Sequence, residues 1–131
     1  MRRGERELRT QAEKAADFVT LHAAPGAFVA PNPWDAGSAR ILAGLGFKAL
    51  TTTSSGYARS IGVTDHKAGR DSVLAHIRAI AAAVDLPISA DLENGFGHEP
   101  ETVAETIRLG AASAIGLTLG AVFRGAVIPW A

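Results

Sequence analysis

The chain has no cysteine, which excludes disulfides, thiolate metal sites and a cysteine nucleophile within it. It has no surplus of either charge, since 13 lysines and arginines balance 13 aspartates and glutamates. Binding to nucleic acid or an anionic membrane through the protein's field needs a basic excess, so neither partner is expected. No apolar run approaches the roughly 20 residues that span a bilayer. Met1-Arg2-Arg3 is not followed by the apolar core of a signal peptide, and Glu5 and Glu7 are out of place in a transit peptide. A cytoplasmic protein is the expectation. At 131 residues the sequence is one domain's worth of chain, long enough to bury a core.

What is present centres on Leu86 to Gly97. Leu86 to Ala90 reads as a buried strand, followed at once by Asp91-Leu92-Glu93-Asn94-Gly95-Phe96-Gly97. Alternate side chains of an extended chain share a face, which places Asp91 and Glu93 on one side and Leu92 on the other. Two carboxylates at the carboxyl end of a strand, beside glycines that let backbone approach closely, suit a hard divalent cation. Magnesium is usually held by one or two carboxylates, with waters and substrate oxygens completing its shell. The same residue types also make an ordinary solvated strand-to-helix loop, and spacing alone leaves both readings open.

Elsewhere the pattern alternates. Residues 5–22 read as a helix on which Leu8, Ala12, Ala15 and Val19 repeat at i, i+4, i+7 and i+11, with His22 in favourable contact with its C-terminal dipole. Ala27 to Ala30 reads as a short strand, ended by Pro31-Asn32-Pro33. Asp35 is placed to cap a helix whose Ala39, Leu42 and Leu45 face inward and which Gly46 closes. Phe47 to Thr53 is a second strand, and Ser54 to Gly69 a long polar loop of the kind that is functional or disordered in compact domains. Asp71 caps a third helix carrying Val73, Ile77, Ile80 and Val84, and Pro100 opens a fourth, with Val103 and Ile107 inward and Gly110 at its end. Ala114 to Val127, charged only at Arg124, reads as a strand, a strand pair or a poorly specified tail.

Strands alternating with helices imply an α/β fold with parallel pairing and right-handed crossovers. Ligands in such folds bind at the carboxyl ends of the strands, so Pro31 to Asp35, Thr53 to Gly56 and Asp91 to Gly97 share one rim. Trp34 and Tyr57 read as core or rim packing, and Asp35 as a cap rather than an acid catalyst. His66, His76 and His98 show no shared metal-ligand spacing, and His76, in mid-helix, is expected in solvent.

Four motifs in order carry a resemblance: Pro-Asn-Pro-Trp-Asp-Ala-Gly-Ser-Ala-Arg (31–40), Thr-Thr-Thr-Ser-Ser-Gly-Tyr (51–57), Ile-Gly-Val-Thr-Asp (61–65) and Ser-Ala-Asp-Leu-Glu-Asn-Gly-Phe-Gly (89–97). From about Phe18 to about Arg108 the chain resembles the isocitrate lyase / phosphoenolpyruvate mutase family. The resemblance implies a (β/α)8, TIM-type barrel. Of it this chain would hold about the first three to four βα units, preceded by the N-terminal helix. Residues 1–131 would form a single α/β domain with a divergent apolar tail at 111–131. It also implies Mg2+, a homo-oligomer or self-associating chain, and chemistry that makes or breaks C–C or P–C bonds in small 2-oxo, enolpyruvate or phosphonate substrates. Asp91 resembles the family's metal-ligating aspartate, Glu93 stands where a second acid holds a metal-bound water, and Asp65 resembles the acid that reaches the metal through water. Thr53, Ser54 and Ser55 correspond to the segment that holds the substrate carboxylate, and no catalytic residue is assigned.

The departures support a second reading. Family members carry an acidic Ile-Glu-Asp-like motif where this chain has Ala114 to Leu119, and no acid follows Glu105. A complete barrel takes about 250 residues. The alternative is therefore a truncated or frame-shifted, catalytically inactive half-barrel that keeps part of the rim and exposes association-prone edges. An open, flavodoxin-like binding module is the third reading, and it lacks a Gly-x-Gly-x-x-Gly turn after the first strand.

Overall fold

The computed structural model describes residues 8–114 and 116–118. They form α1 (Gln11–Ala23), α2 (Ala36–Gly44), β1 (Leu50–Thr51), α3 (Ser54–Ser60), α4 (Arg70–Ala83), β2 (Ile88–Asp91), α5 (Pro100–Ala111) and β3 (Gly116–Thr118). The strands make one parallel sheet in the order β1-β2-β3, with Leu50 opposite Ile88 and Ser89 opposite Gly116. Each parallel neighbour is reached through helix, α3 and α4 between β1 and β2 and α5 between β2 and β3. Most of the expected tail, residue 115 and residues 119–131, lies outside the described residues.

Helix α4 organises the core because its apolar stripe faces the sheet along its whole length. Val73, Leu74 and Ile77 pack with Ala90, Leu92 and Ala114. One turn further on, Ile80 packs with Ala39 of α2, Leu50, Val84 and Ile88. Each large apolar side chain buried in this way contributes about 1.5–3 kcal/mol. The repeat of Val73, Ile77, Ile80 and Val84 thus marks a buried face, and all four are less than a tenth exposed.

The ends of the strands differ from expectation. Strand N–H groups point alternately to the two edges, so Leu50 and Thr52 donate to Pro87, just before β2, and to Ser89 within it (3.0 and 2.8 Å), while Thr51 donates outward to Pro31 (3.1 Å). No strand forms at the expected Ala27 to Ala30, and this backbone bond falls just beyond it. Pro31 and Pro33 have no N–H to return it, and no ladder forms. The expected strand at Phe47 to Thr53 is correspondingly reduced to β1.

Three helix expectations are also corrected. Ser54 to Gly69 is not loop throughout, because the Thr53 hydroxyl accepts the Gly56 N–H (3.2 Å) and starts α3. Asp71 does not cap α4; the cap position is Gly69 at φ 82°, without a side-chain bond, and Asp71 lies in the first turn, where the helix dipole favours it. Helix α1 begins at Gln11, fixed by a reciprocal Thr10–Glu13 capping box, and buries none of its residues. Leu8 and Val19 are 61% and 68% exposed, as is Leu45 beyond α2 at 71%. Ion pairs hold α1 instead, with Arg9 and Lys14 both 3.2 Å from Asp85. Burial pushes the Asp85 carboxyl up, but Lys14 and Arg9 outweigh it and hold the pKa below its ordinary value.

His76 is half-buried rather than exposed. Its ring stacks on Tyr57 with centroids 3.9 Å apart and planes 12° from parallel, and its Nε2 is buried with no partner among the described residues. Burial depresses its pKa, opposed by the charge of Asp35. The unfolded chain therefore binds this proton more readily. The contribution to stability is complete above the ordinary imidazole pKa of about 6.5 and is lost as pH falls toward the lower folded value. We expect the urea midpoint to drop between pH 7 and pH 5 by less in His76→Phe than in the parent chain. Equal drops in the two proteins would refute this.

Candidate metal and substrate rim

Strand β2 ends at Asp91, whose backbone N–H donates to the Thr52 hydroxyl (2.9 Å). Its carboxylate is fully oriented. Oδ2 accepts from both the Ser54 N–H (3.0 Å) and the Ser54 hydroxyl (2.8 Å), and Oδ1 accepts from the Glu93 N–H (3.0 Å). These bonds latch the ends of β1 and β2 together and aim one acid from the sheet's carboxyl edge. Leu92 turns into the core, fully buried.

Glu93 reaches the rim by a route that strand alternation did not anticipate. The strand has ended at Asp91, and Glu93 sits in the left-handed region at φ 52°. Its side chain is only 4% exposed. One carboxylate oxygen, Oε2, lies 3.0 Å from His66 Nδ1; the other, Oε1, is buried with no partner among the described residues. A desolvated carboxylate oxygen without a donor is costly, and a cation is one way to satisfy it. The residues present therefore fit a metal ion.

Asp65 and His66 come from the segment between α3 and α4. His66, also left-handed at φ 63°, donates its N–H to Asp65 Oδ1 (3.0 Å), and its Nε2 lies 3.9 Å from Asp65 Oδ2. The hydrogen bond to Glu93, then the charge of Asp65, raises the His66 pKa above its ordinary value. One ligand atom each from Asp65, His66 and Glu93 lie within 4.8 Å of one another. The structure thus brings Asp65, Glu93 and His66 together, while Asp91, which the resemblance groups with Asp65 and Glu93, is not part of that cluster. Histidine-to-histidine spacing does not reveal His66; the signal in the sequence is its adjacency to Asp65. His98 is exposed on the far side of the glycine turn in sequence.

The glycine turn behind Glu93 is pinned to α5. Gly95, at φ 83°, presents its Cα to Val103, and Gly97 approaches Thr102. The buried Thr106 hydroxyl donates to Gly95 O (2.8 Å).

Thr53, Ser54 and Ser55 lie where β1 enters α3. Thr53 is the helix cap, Ser54 the latch to Asp91, and the Ser55 hydroxyl accepts from Arg59. Among the described residues the Ser55 N–H in the first turn of α3 has no acceptor. Trp34 lies over this turn; a Cβ on Gly56 would stand 2.5 Å from its indole nitrogen. Asp35 caps α2, accepting the Ser38 N–H (2.7 Å), and the Ser38 bonds hold its carboxyl below the ordinary range.

Comparison with known proteins places this geometry in context. Residues 18–120 match the family described as phosphoenolpyruvate phosphomutase. An uncharacterized protein of Mycobacterium tuberculosis is 37% identical over 91 residues, covering 69% of this chain and 35% of its own. Among solved structures, a candidate lyase/mutase of Burkholderia cenocepacia is 59% identical with a TM-score of 0.81, over 83% of this chain and 40% of that one. A 2,3-dimethylmalate lyase is 28% identical with a TM-score of 0.69, over 79% and 38%. An oxaloacetate acetylhydrolase holding its product oxalate is 28% identical with a TM-score of 0.72, over 87% and 40%. The α/β fold matches those of phosphoenolpyruvate mutase/isocitrate lyase superfamily members. The chain spans about a third of the length of the curated relatives it matches, and none of its described helices is long and apolar enough to cross a membrane.

Proposed function

Because the chain belongs to the phosphoenolpyruvate phosphomutase family, we propose that it carries the metal and substrate rim of an enzyme that makes or breaks a C–C or P–C bond in a small 2-oxo or enol carboxylate. The observation that carries this reading is the buried, unpartnered Oε1 of Glu93 beside the oriented Asp91. Asp91, Glu93 and Asp65 are the residues that would hold Mg2+. When bound, such an ion supplies fixed positive charge, the Lewis-acid part of this class of chemistry. Ser54 aims the Asp91 carboxylate by donating two hydrogen bonds to one oxygen. Thr53 holds the first turn of α3 in place, and the Ser55 N–H is a donor left over for a substrate carboxylate. Donors fixed before the substrate arrives need no reorganisation as negative charge develops. The relatives named as a lyase and an acetylhydrolase of oxaloacetate favour this substrate class.

We further infer that the described elements are the first three to four βα units of a (β/α)8 barrel, within a single domain over residues 1–131. An all-parallel sheet in chain order supports that reading. Self-association and a cytoplasmic location belong to the same proposal.

Two measurements on the full 131-residue chain test the site. An ion that binds only the folded form stabilises it by about 2.7 kcal/mol at 100 times its Kd, so Mg2+ should raise the melting temperature of the parent chain and not of Asp91→Ala. Calorimetry with oxalate should show binding that a chelator abolishes. Melting that ignores Mg2+ in both proteins, or oxalate binding that survives the chelator, would sink the reading.

A further inference from the structure

His66 gives the rim a nitrogen donor that a carboxylate-only site would lack. We propose that His66 is a direct metal ligand alongside Glu93 and Asp65, and that it makes the rim select a nitrogen-accepting transition ion such as Co2+ over Mg2+. The proposal rests on reading the rim as a metal site.

Four observations support it. His66 Nδ1 and Glu93 Oε2 are 3.0 Å apart, which equals the edge between adjacent ligands of an octahedron with bonds of about 2.1 Å. Glu93 is 6% exposed and its Oε1 is buried without a partner, so the imidazole satisfies only half of the carboxylate. Both His66 and Glu93 hold left-handed backbone, at φ 63° and 52°, a conformation that costs residues with bulky side chains. These two turns bring together side chains from either side of α4. Finally, His66 and Asp65 keep exposed side chains, 69% and 39%, leaving an ion and its waters an open approach.

The chemistry then discriminates. Magnesium prefers oxygen ligands and keeps several waters, whereas imidazole favours later first-row ions, with affinity rising from Mn2+ through Co2+. Carboxylates alone also rank Co2+ above Mg2+. The distinctive consequence is therefore not the preference itself but how much of it disappears when the imidazole is removed.

The test is isothermal titration of the full chain with Mg2+ and with Co2+, in the parent, His66→Asn, His66→Gly and Asp91→Ala. Asparagine and glycine both tolerate the left-handed backbone at this position, and melting in chelator confirms that each variant is folded. Loss of a group that supports a metal typically weakens affinity by about 10–100-fold. Both His66 variants should weaken Co2+ by at least about 10-fold on that scale, change Mg2+ affinity by clearly less than they change Co2+ affinity, and alter the visible spectrum of bound Co2+. Unchanged Co2+ affinity and spectrum in folded His66 variants would overturn the proposal and reduce His66 to an ion-pair partner of Glu93. If Asp91→Ala still abolishes Mg2+ binding in that case, the rim reading stands without it. If neither ion binds the parent chain, both readings fall.

Discussion

Ile77→Ala is expected to lower stability by about 2–5 kcal/mol, the range for removing three methyl or methylene groups from a packed core. Ile77 is fully buried at the centre of α4, among Val73, Leu74, Ala90, Leu92 and Ala114. Two of those neighbours, Ala90 and Leu92, flank Asp91 on β2 and its turn, so the cavity would open directly behind the rim. Small domains have only about 5–15 kcal/mol in total, and the loss should appear as a lower urea midpoint at unchanged m-value. A midpoint shift equivalent to less than about 1 kcal/mol would show that the site collapses without cost and that the cluster is not the core.

Gly95→Ala is expected to be nearly as damaging, for two separable reasons. Gly95 has φ 83°, where a side chain costs about 1–3 kcal/mol. An added Cβ would also stand 2.9 Å from both methyl carbons of Val103. Trimming the partner separates the causes. Val103→Ala should restore the steric part of the loss in the double variant and leave the backbone part, so that the two substitutions couple. Simple additivity would mean that Val103 already yields and that the damage is conformational alone. Because Gly95 O accepts the Thr106 hydroxyl, either loss should also loosen Glu93, read as weaker binding of Mg2+.

Legibility in the sequence followed the range of the forces involved. The stripe on α4 could be read because helical periodicity and burial coincide there, and the cap at Asp35 is local by nature; the capping box at Thr10 and Glu13 is not in the sequence expectation, which starts the first helix too early. The acids at Asp91 and Glu93 stood out through their position at the end of an apolar run. Helix α3 did not, since Ser-Ser-Gly-Tyr-Ala-Arg-Ser has weak helical propensity and is held by the Thr53 cap and by Trp34 over Gly56. The Ala27 to Ala30 strand failed because β1 meets the chain at Pro31, just beyond it, where Pro31 and Pro33 could not complete a ladder. His66 meets Glu93 across 27 residues of chain, through two left-handed turns that no periodicity announces. His76 was misplaced because its stacking partner, Tyr57, lay in the segment read as loop.

Helix α1 gives the molecule two kinds of cohesion. It adds no buried residue to either apolar cluster; Phe18 and His22 meet the Phe28 ring edge-on, and its polar attachments include the pairs from Arg9 and Lys14 to Asp85 and a bond from the Gln11 amide to Ala111 O (3.1 Å). Ionic strength shortens the reach of such charges to about 10 Å at 0.1 M and about 3 Å at 1 M, yet excluded salts such as sulfate strengthen apolar burial. One solute can therefore loosen the helix while tightening the packing of the sheet and α4. Amide exchange in α1 would then follow its own opening equilibrium, separate from global unfolding, so a single midpoint describes the core and not the whole chain.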